Sequence, residues 1–255
     1  LWRWKGRRGT NRYRRRGRRE KQKKLSAFIC VYLRSIFYLT QRRKDAKGRT
    51  QKEKGKMVAI SDRFYLTPQE FLEWEELQEI KYEYLDGEVF AMTGGTIPHA
   101  AIALNLASAL KSHLRGSKCS ALMSDAKVGV SENGPFFYPD VVVSCHPQDR
   151  QAIKFLQFPC LIVEVLSPGT EAYDRGKKFE KYRNFSSLQE YVLIDSQKIG
   201  LECFRLNDRG FWELHPFVEG DEVHLTSVDF QFPLSLIYEN VVLVGENEEF
   251  KDQAG

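Results

Sequence analysis

A CxxC motif is the first thing this 255-residue chain lacks. Its five cysteines, Cys30, Cys119, Cys145, Cys160 and Cys203, form no CxxC pair and are odd in number, which speaks against a zinc knuckle or a dense disulfide framework. Three of them sit in apolar strand-like runs, so the expectation is buried, reduced thiols and a reducing compartment. A long apolar run is missing too. The most apolar stretch, LSAFICVYLRSIFYLT at residues 25–40, is broken by Arg34 and falls short of the about 20 residues that span a bilayer. No A-x-A-like cleavage pattern follows its basic flank, so we read it as a helix, with no membrane and a cytoplasmic location expected. After Met57 there is no internal repeat and no Gly/Ser-rich linker, and one domain accounts for the rest.

Acidic residues are nearly absent from one end. Residues 1–56 carry 22 of the 39 Lys and Arg but only Glu20, Asp45 and Glu53, while residues 57–255 hold 17 basic and 31 acidic side chains, a net of −14. The overall +5 averages two unlike segments. So basic and polar a stretch buries too little apolar surface to offset the entropy of ordering. It suits a nucleic-acid-binding arm; the reading we favour is an N-terminal extension that is not natively part of the protein, ahead of the first methionine, Met57. The expected organisation is therefore an extension over 1–56, one folded domain over 57–245, and a tail over 246–255.

What is present after Met57 is regular patterning. TPQEFLEWEEL supplies a helix start, with Thr67 as N-cap, Pro68 at the first helical position and Glu70 closing a capping box. KYEYLDGEVFAM reads as two strands joined at Asp86-Gly87. IPHAAIALNLASALKSHLRG predicts a helix that ends at Gly116 and presents Ala103, Leu106, Ala107, Leu110 and Leu114 on one face. Strands are expected in CSALMSDAKVGV, FYPDVVVS, PCLIVEVLS, QEYVLID, GLECFRL and FWELHPF, with a helix from about Ala172 to Phe185. Apolar runs such as CLIVEVL imply a sheet covered on both faces, hence α/β or α+β.

Two of those runs carry an acid, Asp140 in YPDVVVS and Glu164 in CLIVEVLS. An unpaired charge in an apolar strand costs several kcal/mol, about 3–5 where a partner is lost, so a pair of them suggests a site. If the strands are neighbours, the two carboxylates converge at one end of the sheet. Paired hard oxygen donors suit Mg²⁺ or Mn²⁺, which are held by one or two carboxylates, water and substrate phosphate.

The series YEYLDGEVFAMTGG, His99, YPDVVVS and LIVEVLSPGTEAYDRGKKFEKYRNFSSLQEYVLID resembles the Uma-two family of restriction-type endonucleases, a branch of the PD-(D/E)XK nuclease superfamily. The resemblance covers roughly residues 62–245 and five separated motifs in order. It implies a restriction-endonuclease-like core of αβββαβ type, a mixed central sheet flanked by helices. It also implies a divalent metal, Mg²⁺ or Mn²⁺, on Asp140 and Glu164, and hydrolysis of nucleic-acid phosphodiesters, DNA above all. Enzymes of this kind often work as homodimers. The superfamily's usual lysine two residues after the Glu is absent, since Leu166 stands there. The branch supplies its lysine from the following helix, where Asp174, Lys178 and Tyr182 share a face at four-residue spacing, which makes Lys178 the carried-over catalytic cation. Lys177 and Lys181 beside it are candidates for substrate contacts, although such a row is also what a solvated helix face looks like.

Glu83 in the first hairpin matches an acid of the family that orients a water or reaches the metal, or else it is an exposed cross-strand charge. His99, at the start of the long helix, is placed to touch a substrate phosphate or merely to cap. Ser167 caps the turn after the Glu strand. His113, His146, His215 and His224 show no ligand spacing, and SPGTEAYDRGKK lacks the GxxxxGK[ST] order of a phosphate loop. The rival to an enzyme is a nuclease-fold protein that binds nucleic acid or another protein without cutting, and the −14 of residues 57–255 is an objection to strong DNA binding.

Overall fold

The computed structural model describes residues 65–92 and 94–243. The basic extension, the helix expected at 25–40, Cys30 and the tail over 246–255 lie outside the described residues. Helix α1 (Pro68–Glu75) starts as its sequence dictates, with Thr67 and Glu70 in a reciprocal capping box. The hairpin of β1 (Tyr82–Leu85) and β2 (Glu88–Ala91) turns at Asp86 and Gly87, whose φ values of 51° and 92° are what a two-residue turn of this hand requires. Helix α2 (Ile97–His113) is capped by Thr96 and buries the predicted face, Ala103, Leu106, Ala107, Leu110 and Leu114.

Two of the expected strands break in the middle. CSALMSDAKVGV divides into β3 (Ser120–Met123) and β4 (Val128–Gly129) at a turn closed by the Ala126 N–H on the Met123 carbonyl. FYPDVVVS divides into β5 (Phe136–Phe137) and β6 (Val141–Ser144), because Pro139 has no N–H to give to a ladder. Each half joins a different sheet. The smaller has the order β2-β1-β5-β4; the larger adds β7 (Pro159–Leu166), β8 (Glu190–Asp195), β9 (Leu201–Leu206) and β10 (Trp212–Phe217) in the order β10-β9-β8-β7-β6-β3. The segment Tyr138–Asp140 therefore passes from one sheet to the other, and Asp140 precedes β6 instead of lying inside a strand.

Among the described strands only β7 and β8 pair in parallel, and a helical crossover joins them. It comprises α3 (Glu171–Tyr173), a π-helical turn (Asp174–Lys178) and α4 (Phe179–Tyr182), where an unbroken α-helix was expected. Every residue of β7 is buried. Val141, Val143, Leu161, Val163 and Val165 face α2 and the small sheet of β11 (Glu222–Leu225) and β12 (Phe230–Pro233). Val142, Ile162 and Leu166 face Tyr182, Phe185 and Tyr191 on the other side. Each fully buried Val, Leu or Ile contributes about 1.5–3 kcal/mol, so the two-sided burial of β7 makes it the stiffest base for a site. The mixed sheet covered on both faces is the α+β arrangement expected.

The thiols differ from expectation. Ser120 pairs with Ser144, and one step further along the same ladder Cys119 and Cys145 are joined in a disulfide. The argument from cysteine to a reducing compartment therefore fails for this pair. Cys160 and Cys203 are buried free thiols, and burial pushes Cys160 up to about 11. Among the described residues no helix is long and apolar enough to cross a membrane.

Candidate active site

Antiparallel β6 and β7 pair Val141 with Val163, so the next position outward sets Asp140 against Glu164. The convergence expected from a period of two is realised at the end of this strand pair. Asp140 is held there by its own chain, because Oδ2 accepts the Val165 N–H at 2.8 Å and its carbonyl accepts the Ser124 N–H at 3.1 Å. His99, in the first turn of α2, brings Nε2 to 3.2 Å from Asp140 Oδ2. Gly95 makes that approach possible: a Cβ there would lie 2.8 Å from His99 Nδ1.

Lys178 reaches the same point from the π-helical turn. Its ammonium stands 3.0 Å from Glu164 Oε1, 3.0 Å from Glu83 Oε1 and 3.4 Å from Asp174 Oδ1, with all four side chains buried. Tyr182, one turn on, donates its hydroxyl to Glu164 Oε1 at 2.8 Å. The Tyr191 hydroxyl donates to the Asp174 carbonyl at 3.0 Å, which ties the π-helical turn to β8. Glu83 belongs to β1 and also accepts the Tyr138 N–H at 3.4 Å. Strands from both sheets, α2 and the crossover thus meet at one cluster.

The electrostatics follow from the count of charges. Burial pushes Glu164 well above the usual carboxylate range; Lys178 pulls against it, and Asp174, Asp140 and Glu83 push further the same way. Burial raises Asp174 as well, with Lys178 opposing. For Lys178 burial works toward the neutral amine, but the carboxylates of Glu164, Glu83 and Asp174 outweigh it and hold the ammonium well above its ordinary value. The hydrogen bond to Asp140 raises His99 against the effect of its burial. Burial leads for Glu164 and Asp174, the carboxylates outweigh it for Lys178, and the bond to Asp140 outweighs it for His99; around Lys178 three carboxylates share one ammonium.

Asp140, Glu164, Lys178, Asp174 and His99 line a cavity of 520 Å³, and Glu83 stands behind Lys178. Lys177 and Lys181 are not brought to it. Lys177 is exposed, and Lys181 pairs with Asp86 of the hairpin turn at 2.9 Å, since neither shares the helix strip of Lys178. Ser167 lies ahead of the crossover and lines the cavity; its carbonyl accepts the Glu171 N–H at 2.9 Å, whereas the N-cap position of α3 is Thr170. His113, His146, His215 and His224 lie away from the cavity lining. Sequence reasoning put Asp174 and Tyr182 on the right helix face without assigning them a partner, and it missed Lys81 and Tyr138, which also line the cavity. A lone lysine ahead of a strand carries no signal of that kind.

Four likenesses bear on this arrangement. A protein of Synechocystis sp., "Uncharacterized protein slr1290", is 40% identical over 173 residues, 68% of this chain and 91% of that protein. A second from the same organism, "Uncharacterized protein sll1609", is 32% identical over 142 residues, 54% of this chain and 80% of its own length. The crystal structure of a nuclease from Anabaena variabilis, described as "putative" and as belonging to DUF820, matches with a TM-score of 0.57 at 20% identity, over 69% of this chain and 99% of that one, a likeness of fold. Residues 68–236, which hold both sheets' site residues and the whole crossover, match the Uma2 family, "Putative restriction endonuclease", and the chain belongs to that family.

Proposed function

We propose that the protein is a metal-dependent endonuclease that hydrolyses nucleic-acid phosphodiesters, DNA first among them, with Mg²⁺ or Mn²⁺ held by Asp140 and Glu164. The observation that carries this reading is the surplus of acid at one point: Glu164, Glu83 and Asp174 gather around a single buried lysine, and Asp140 is set against Glu164 on the neighbouring strand. Among the described residues no three His, Cys, Asp or Glu side chains form a ready metal-ligand set. Two carboxylates completed by water and phosphate oxygens are, however, the usual donors for Mg²⁺. Both hydrogen bonds to Glu164 fall on Oε1, so the donor set fits.

A divalent cation bound there supplies Lewis acidity toward the phosphoryl oxygens. The chain's own groups do the rest. Asp140 and Glu164 fix the position of the positive charge, and the Val165 N–H and Tyr182 hydroxyl hold their oxygens in place. Lys178, fixed by Glu164 and Glu83, faces the charge that develops on phosphate. His99 orients Asp140 and presents its ring to the substrate.

A second reading, a nuclease-fold binder that does not cut, is favoured by one observation, that Lys178 is already engaged by three carboxylates. Incubation of the full chain with labelled DNA and RNA and Mn²⁺ separates the two. Metal-dependent cleavage that Lys178→Ala lowers supports the enzyme, whereas binding without cleavage in either metal would make it a binding module.

A further inference from the structure

The cavity continues past Asp140. The larger sheet runs β7, β6, β3, so on the side of Asp140 away from Glu164 lie Met123, paired with Val141, and Ser124, bonded to the Asp140 carbonyl. Lys81, just before β1, closes over them. Its ammonium reaches the Ser124 carbonyl at 3.3 Å, ion-pairs with Asp125 and lies 5.7 Å from the centre of the Tyr138 ring. The Lys81 carbonyl accepts the Met92 N–H at 3.0 Å, which brings Met92 to the same wall beside the half-exposed Ile80. The cavity therefore has two unlike parts, an acid–lysine part and a thioether, aliphatic and aromatic part with a cation at its edge.

We infer that the second part holds an unpaired nucleobase next to the phosphate being cut, so that the substrate is single-stranded or locally opened nucleic acid. The inference rests on the nuclease reading above. Methionine adapts to flat, polarisable groups, and an ammonium takes a neighbouring phosphate as a point charge. Lys81 is 40% exposed and its partner Asp125 is 91% exposed, so a phosphate can replace Asp125 at little desolvation cost. The cleft of 520 Å³, shared by the two parts, has room for a base beside a phosphate, and a base stacked in a duplex reaches such a recess only by unstacking.

Initial rates of cleavage by the full chain with Mn²⁺ test this on one labelled DNA sequence, offered single-stranded and as a duplex. The single strand is expected to be cut roughly tenfold faster or more. Lys81→Ala and Met123→Ala should narrow that ratio roughly threefold. A duplex cut as fast as the single strand overturns the inference and leaves the nuclease reading intact. If nothing is cut with Mn²⁺ or Mg²⁺, the nuclease reading falls, and saturation-transfer NMR with thymidine 5′-monophosphate decides the recess alone. Saturation on the base protons that Met123→Trp removes supports it; Ile80→Trp, at a half-exposed position, serves if the first variant does not fold. No saturation on the base protons in the wild type overturns it.

Discussion

Glu164 and Glu190 stand on neighbouring parallel strands, both buried, and their surroundings are opposite. Glu190 is fully satisfied. It accepts Arg205 Nε at 2.8 Å, the Thr226 N–H and hydroxyl at 3.1 Å each, and the Ser227 N–H at 2.8 Å. One carboxylate meets one guanidinium, and although burial pushes Glu190 up, the hydrogen bonds from Ser227 and Arg205 prevail and leave it below the usual glutamate range. Glu164 shares a single ammonium with two other acids and is driven the other way. A buried glutamate alone therefore marks nothing; the imbalance of charge around it marks a place that wants a cation.

The largest test of this contrast is folding stability. Glu190→Ala strands Arg205 and the backbone donors of the Thr226 turn and should cost about 3–5 kcal/mol by urea unfolding, whereas Glu164→Gln, measured without metal at neutral pH, should leave stability equal or higher. Equal losses in the two variants would erase the distinction. Next comes cleavage. Lys178→Ala should lower single-turnover rates by roughly 10²–10³, about 2.7–4 kcal/mol, with divalent-ion affinity near wild type, while Lys177→Ala and Lys181→Ala stay close to wild type. Similar small effects from all three lysines would reduce the row to a solvated face.

Isothermal titration of Mn²⁺ sharpens the comparison further. Asp140→Asn and Glu164→Gln should each weaken binding at least roughly tenfold, about 1.4 kcal/mol, and Glu190→Gln should leave it unchanged. The pH dependence has opposite signs at the two sites. Glu190, lowered on folding, contributes stability that is present above the unfolded glutamate range and lost as pH falls through its folded value. Glu164, raised on folding, opposes the folded state increasingly as pH rises from the unfolded range toward its folded value. The deficit of Glu190→Gln should thus shrink on acidification, and so should the gain of Glu164→Gln. The smallest expected effect is that of Gly95→Ala, which displaces the His99 ring and should lower cleavage several-fold, on the order of 1 kcal/mol, with little change in thermal midpoint.

Much of this was legible in the chain because it is local. The Thr67 capping box, the Asp86-Gly87 turn and the buried strip from Ala103 to Leu114 are written within a few residues each. The meeting of Asp140 and Glu164 was expected on the condition that their strands are neighbours, and Lys178 was a candidate through the family resemblance, with Asp174 and Tyr182 on the same helix face. What escaped depends on register between distant segments. Cys119 and Cys145 meet because β3 and β6 align Ser120 with Ser144, which no spacing of cysteines reveals. Glu190 finds its partners on β9 and in the turn at Thr226, and Lys81 joins the cavity through Ser124, 43 residues on. The two expected strands that break at Pro139 and after Met123 were read as continuous, yet β4, β5 and β6 are buried while β3 is a half-exposed strand at the edge of its sheet.

The π-helical turn has a consequence for how such a protein is disarmed. Four-residue spacing drifts around an α-helix of 3.6 residues per turn, and the wider turn at 174–178 cancels part of that drift, so that Asp174, Lys178 and Tyr182 all point at Glu164 or its cluster. Deleting one residue there, Gly176 for instance, whose added Cβ would meet nothing within 4 Å, lets the segment close into an ordinary helix and swings Lys178 by about 100°. Every acid would survive and the fold would stand, yet the cation would be gone from its post. The proposed cutting would then be one codon from loss in a chain otherwise unchanged in sequence.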